Sequence, residues 1–200
     1  SLYHTLEYAY TDWCLGQLMS SLGKKKEAAE YEKRAKAYRN VWCDSVQWFR
    51  ARMKGGGWLP WRGRTAQDQG TTESNPFQQG WFVPHDIDGM KALMGGQKKF
   101  DAELEEFFAN VPEDFLWNDY YNHPNEPNHH VPFLFNYSSC PWLTQKWTRK
   151  ICDKAYGDDV LGLCGNEDVG QMSAWYVLAA MGIHPVCPGN PRYEITSPVF

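Results

Sequence analysis

The chain has 200 residues, a formal net charge of −4 at pH 7 and 16% aromatic residues. That length suits one or two domains with a buried core; the acidic balance argues against nucleic acid as a partner, since a phosphate-binding surface is basic; and no apolar run approaches the ~18 residues of a membrane span. Ten tryptophans furnish core and also flat indole faces on which sugar rings stack, and six widely spaced cysteines without a Cys-x-x-Cys pair exclude a zinc ribbon or thioredoxin-type motif while leaving thiols and disulfides open.

In chain order, Leu2, Leu6, Ala9, Trp13, Leu18 and Leu22 recur at near-helical spacing, and the pattern stops at Gly23. A second helix is expected over residues 27–42 from Tyr31, Ala35, Tyr38 and Trp42, completing an antiparallel hairpin with Lys24, Lys25 and Lys26 in a solvated turn. Periodicity fails over residues 44–82, which read as a long ordered loop with a short β-ribbon near residues 48–53; loops of this length are usually functional or disordered. His85 and Asp86 look like a helix entry, with Asp86 capping a helix that runs to Met94. Residues 98–109 form an amphipathic helix with Phe100, Leu104, Phe107 and Phe108 on its apolar face. Residues 119–129 are irregular, 130–137 and 142–156 helical, 157–170 an acidic loop and 172–181 the last helix, after which Pro185, Pro188, Pro191 and Pro198 keep the chain extended. Leu6, Trp13 and Leu18 read as an apolar face awaiting a partner. Both ends read as cut, so a piece of a longer protein is expected. There is no strand–helix alternation, phosphate-binding glycine motif or fixed-period repeat. Paired helices with aromatic, acidic loops recurring at one end predict a mainly α fold, part of an α/α toroid with its site at the mouth.

The chain is organised around the stretch from Gly165 to Trp175, where Glu167 and Asp168 lie between Gly165 and Gly170, directly ahead of an apolar helix. Such a turn can hold a carboxylate in one orientation, as a general base or metal ligand requires, or it can simply cap the helix. Two further loops carry carboxylates among amides and aromatics: residues 72–78 with Glu73, and residues 122–130 with Asn125 and Glu126. Glycoside hydrolysis needs two carboxyl groups with opposed tasks, one protonated and one ionised. Glu73, near Pro76, Phe77 and Trp81, suits the acid because an apolar surround disfavours its anion; Asp168, in a glycine turn, suits the base. Asn125, Glu126 and Asn128 offer the oxygen ligands hard cations prefer, so calcium is expected. The competing reading of His129 and His130 as a zinc pair is weak because adjacent helical side chains point apart. No serine sits in a nucleophile-elbow context.

These residues carry a resemblance. Thr72-Glu73-Ser74-Asn75 with Trp81-Phe82-Val83-Pro84-His85-Asp86, then Asn125-Glu126-Pro127 with His130-Val131-Pro132-Phe133-Leu134-Phe135-Asn136-Tyr137, then Gly165-Asn166-Glu167-Asp168-Val169-Gly170-Gln171-Met172-Ser173-Ala174-Trp175-Tyr176 look like the calcium-dependent α-mannosidases of glycoside hydrolase family 92. Thr5-Leu6-Glu7-Tyr8-Ala9-Tyr10 with Asp12-Trp13-Cys14, and Pro185-Val186-Cys187-Pro188-Gly189, are similar too.

The resemblance implies an inverting exo-α-mannosidase of the six-hairpin glycosidase type. Residues 1–182 would be the C-terminal portion of its toroid domain, and residues 183–200 an extended segment leading towards a truncated β region. An N-terminal β-sandwich and earlier toroid hairpins of the parent chain would be missing. It further implies Glu73 as acid, Asp168 as base with Glu167 beside it, Ca2+ held near Asn125 and Glu126, and sugar contacts from Asn166, Gln171, His130 and Trp81. The partner would be a mannose-containing glycan, with no nucleic acid and no membrane span, and the location secreted, periplasmic or at the cell surface. Where many members carry an acidic residue two before the base, this chain has Asn166, so a second contact to the attacking water would fall to Glu167. The alternatives are another exo-glycosidase or a mannosyl-phosphate hydrolase on the same fold, or a non-catalytic glycan-binding module.

Overall fold

The computed structural model describes residues 1–199, so Phe200, the end of the expected extended segment, lies outside the described residues. The chain divides into two compact units, Ser1–Met94 and the remainder from Gly95.

In the first unit, α1 (Leu2–Ser21) starts where the Ser1 hydroxyl accepts the His4 N–H at 3.2 Å, satisfying a first-turn amide. It buries Leu2, Leu6 and Ala9 against α2 (Lys25–Arg34). Leu6 is therefore core, not the open apolar face the sequence suggested; Leu18, 50% exposed, does face out. Asp12, almost buried on the same face, is held by Arg34 through Nε at 3.0 Å and Nη2 at 2.9 Å. The second helix, expected to run unbroken to Trp42, tightens at Ala35–Val41 into a 3-10 turn. Tertiary bonds override its helical pattern: the buried Tyr38 donates its hydroxyl to Asp86 Oδ2 at 2.6 Å, and β1 (Trp42–Cys43) pairs antiparallel with β2 (Trp48–Phe49), Trp42 opposite Phe49. The ribbon thus begins before the expected residues 48–53, although a bridge from Arg52 to Trp58 extends it.

Within the long loop a short α3 (Pro76–Gln79) appears, closed by a reciprocal capping box between Asn75 and Gln78. Its proline at the first helical position is pre-set for that turn. Trp48, 1% exposed, donates its indole N–H to Pro76 O at 2.6 Å and packs edge-on to Phe77 and Trp81. Each such aromatic contributes roughly 1.5–3 kcal/mol on burial, so this cluster anchors the loop. Asp86 caps α4 (Ile87–Met94) as expected, accepting the Gly89 N–H at 2.9 Å.

In the second unit, α5 (Gln97–Ala109) buries Phe100, Leu104, Phe107 and Phe108, the face its sequence marked as apolar. Tyr121 stacks on Phe108 at 4.6 Å. The expected helix after His130 is instead 3-10, Val131–Tyr137. It packs on α6 (Trp142–Lys154), and α6 packs on α7 (Gln171–Ala180). Trp175, fully buried, centres this core. Beyond Gly182, β3 (Ile183–His184) pairs antiparallel with β4 (Glu194–Ile195). Among the described residues all six cysteines are free thiols, and no helix is long and apolar enough to cross a membrane.

Candidate active site

Glu73 belongs to the first unit. It stands just ahead of the α3 cap with φ +50, exposed, while Ser74 to Gly80 are buried. Glu73 stays exposed, while the Phe77 and Trp81 rings expected to enclose it pack on Trp48. Trp81 is 0% exposed and packs edge-on to Trp48 in this core. A carboxyl that sequence reasoning passed over, Glu7 on α1, lies half-buried, and burial pushes it up to about 7. Burial raises the Tyr3 phenol, and the charges of Glu7, Tyr8 and Glu73 raise it further.

The other candidates lie in the second unit, where two loops meet. A Cβ added to Gly165 would fall 2.6 Å from Pro124 O, so only glycine lets the acidic turn approach the 122–130 loop this closely. The turn continues through Asp168, Val169 and Gly170 at φ +40, +60 and +91. This left-handed run is costly for Asp and more so for the β-branched Val. It throws the chain back so that Glu167 reaches the first turn of α7. Glu167 Oε1 accepts the Ser173 N–H at 3.0 Å and Oε2 accepts the Ser173 hydroxyl at 2.7 Å. Those bonds, the hydroxyl first, hold the Glu167 carboxyl below the usual carboxylate range. Glu167 is therefore the helix cap, each of its oxygens accepting one hydrogen bond from Ser173. Asn166 and Asp168 stay exposed on the turn. Of the two alternatives the sequence offered for the turn, capping is met by Glu167.

Beneath the turn lies a buried polar chain that the sequence did not announce. His123 Nδ1 is 2.7 Å from the Tyr121 hydroxyl and Nε2 is 2.8 Å from that of Tyr156. Tyr156 donates to Met172 O at 3.0 Å. His129 Nε2 lies 2.9 Å from His123 O, and its Nδ1 is 3.2 Å from Gln171 Nε2, the first residue of α7. Trp175 donates its indole N–H to His129 O at 2.8 Å. Burial lowers His129 to about 4 and His184 to about 3, and holds His123 well below its ordinary value. All three imidazoles are neutral at ordinary pH. Both nitrogens of His123 and of His129 are engaged inside the protein, which removes the zinc reading. The only advance signal was the density of His and Tyr between residues 120 and 130.

For a hard cation the relevant groups are oxygens. Asn122 buries its side-chain carbonyl oxygen without a donor, Asn125 is 5% exposed, and Glu126 and Asn128 each bury a side-chain oxygen. Among the described residues no three His, Cys, Asp or Glu side chains converge, so a cation on this loop would rely on amide and carbonyl oxygens beside Glu126. That chemistry fits calcium. A cavity of about 580 Å³, lined by Cys152, Tyr156, Asp158, Ser173 and Tyr176, borders the clasp at Ser173 but includes neither Asp168 nor Gln171.

Comparison with known proteins places this geometry. The sequence model of the glycosyl hydrolase family 92 catalytic domain matches residues 1–200. An uncharacterized secreted glycosidase of Arthroderma benhamiae is 30% identical over 221 residues, covering 100% of this chain and 28% of that protein. A family 92 α-mannosidase of Bacteroides thetaiotaomicron superposes with a TM-score of 0.91 at 37% identity, over 99% of this chain and 26% of the other. Its complex with mannoimidazole superposes at 0.88. An inverting family 92 mannosidase of the same organism gives 0.89 at 35% identity, over 100% of this chain and 29% of that one. The chain thus spans less than a third of the length of these relatives. The mainly helical class, and the place in the α/α-toroid glycosidase fold, hold.

Proposed function

The chain belongs to glycosyl hydrolase family 92, and from that membership we propose that the whole protein removes terminal α-linked mannose from glycans with inversion, using Glu73 as acid and Asp168 as base. One observation carries the assignment of the base: both carboxylates of the turn are exposed, but Ser173 binds both oxygens of Glu167, which leaves Asp168 as the carboxylate outside that clasp. In this mechanism the Glu73 proton goes to the leaving glycosidic oxygen as its bond to the anomeric carbon breaks. Water attacks that carbon from the opposite face and gives its proton to Asp168. Inverting pairs stand roughly 6.5–9.5 Å apart to admit that water. Asn166, Gln171 and His130 would contact the sugar. Asn125 and Glu126, with Asn122 and Asn128, would hold calcium, which when bound supplies positive charge to sugar hydroxyl oxygens. A secreted or cell-surface location follows the description of the fungal relative. The likeness to mannosidases favours this reading over another glycosidase or a binding module.

Following the anomer of released mannose by NMR tests it. β-Mannose must appear first from an α-mannoside, and α-mannose first would overturn inversion. Glu73→Gln should suppress release of poor leaving groups far more than of activated aryl groups. A second assignment of the acid has one observation in its favour, since burial raises Glu7 and leaves Glu73 exposed. If Glu7 is the donor, that leaving-group dependence moves to Glu7→Gln.

A further inference from the structure

We propose that His129 is a positioning residue that locks the side-chain amide of Gln171 in one orientation, so that Gln171 offers the substrate a carbonyl oxygen and not an NH2 group. This deepens the mannosidase reading and rests on it. The polarity follows from the partners. His129 Nε2 lies 2.9 Å from His123 O, and a carbonyl only accepts, so Nε2 carries the proton. His129 is 2% exposed, and with the Nε2 proton spent on His123 O the neutral ring keeps its lone pair on Nδ1. At 3.2 Å from that lone pair, only the NH2 end of Gln171 makes a bond.

The ring itself has little freedom. His123 stacks on it at 4.7 Å, and Trp175 donates to its backbone carbonyl at 2.8 Å. His123 is fixed in turn: Tyr156 spends its proton on Met172 O, so His123 Nε2 donates to Tyr156, and His123 Nδ1 accepts from Tyr121. Each of the two runs ends on a backbone carbonyl, Met172 O for the one through His123 and Tyr156 and His123 O for the one through His129, which fixes the direction of the bonds in it. Gln171, exposed on the far side of the second run and three residues beyond Asp168, is left with an acceptor to present. It would therefore take a hydrogen bond from a mannose hydroxyl and disfavour a sugar deoxygenated or O-methylated at that position, because such a sugar leaves the acceptor unpaired.

Two near-isosteres separate positioning from mere packing. In His129→Asn the amide oxygen stands where Nδ1 was, keeping the acceptor for Gln171 and losing the donor to His123. In His129→Gln the amide nitrogen reaches the Nε2 position, keeping the donor and losing the acceptor. Assayed in the whole protein on an α-mannoside, His129→Gln should raise KM about tenfold, the worth of one hydrogen bond. His129→Asn should recover most of that loss even though its melting temperature falls, and Gln171→Ala added to His129→Gln should cost little more. Parallel losses of kcat/KM and melting temperature in both variants would overturn the proposal. Should neither fold, Gln171→Glu, at an exposed position, decides: its carboxylate cannot donate to Nδ1, so KM should rise about tenfold at neutral pH. A KM like wild type would overturn it. If the wild-type protein releases no mannose, the mannosidase reading fails separately. The 15N NMR signal of His129 then decides the tautomer, with an unprotonated Nδ1 supporting the lock and a protonated Nδ1 refuting it.

Discussion

Glu167 and Ser173 form a closed clasp over the start of α7: Oε1 accepts the backbone N–H at 3.0 Å and Oε2 the hydroxyl at 2.7 Å. A helix start leaves amides unsatisfied, and an anion there also meets the positive end of the helix dipole. Because the carboxyl is held below its ordinary range, the clasp stabilises the fold above the unfolded carboxylate pKa and is lost as pH falls through the folded one. Glu167→Gln should therefore lower the melting temperature at neutral pH, with the gap to wild type closing in acid. A pH-independent gap would contradict the clasp.

The buried histidines set a second pH limit, at higher pH. His129 falls to about 4 on folding from an ordinary value near 6.5, because burial penalises its charged form. The unfolded chain binds the proton first, so this contribution to stability is complete above about pH 6.5 and is lost towards pH 4, roughly 3 kcal/mol from His129 alone. His184, lowered to about 3, adds in the same direction. Denaturant melts should show stability dropping steeply between about pH 6.5 and 4. A flat profile would mean that these rings are not buried neutral.

Val169 is fully exposed and holds φ +60, so its side chain contributes strain and no packing. Val169→Asn, a residue that tolerates this conformation, should stabilise by about 1 kcal/mol in a denaturant titration. Gly165→Ala should do the opposite, costing about 1–3 kcal/mol, since its Cβ would meet Pro124 O at 2.6 Å. It should also depress turnover by parting the two loops.

Trp81 divides structural from catalytic roles in the first unit. Buried against Trp48 and Phe77, it should cost about 3–5 kcal/mol as Trp81→Ala. Trp81→Phe should retain turnover within a few-fold. A rise of KM without loss of stability in Trp81→Phe would restore the sugar contact inferred from sequence.

Local pattern was legible where burial is decided by the helix itself. The periodicity of Phe100, Leu104, Phe107 and Phe108 named the buried face of α5, and Asp86 was readable as a cap because capping acts over a few residues. It failed where distant partners decide. Nothing between residues 27 and 42 reveals that Tyr38 must reach Asp86, 48 residues away, or that Trp42 pairs with Phe49 across a ribbon. At the site, the sequence located the acidic turn and favoured Asp168 as base, but it did not show the clasp of Glu167 on Ser173, because that depends on a left-handed backbone at Asp168 and Val169. The His123–His129 network was invisible because its bonds join Gln171 and Trp175 to residues more than forty positions earlier.

The most direct measurement compares Asp168→Asn with Glu167→Gln in the whole protein, by mannose release from an α-linked mannobiose with calcium present. The account predicts a loss of about 10²–10⁴-fold in kcat for Asp168→Asn, the usual worth of a general base. For Glu167→Gln it predicts less than about tenfold loss together with a lower melting temperature. The reverse order, with Glu167→Gln inactive and Asp168→Asn retaining turnover, would contradict the division of the turn into a cap and a base.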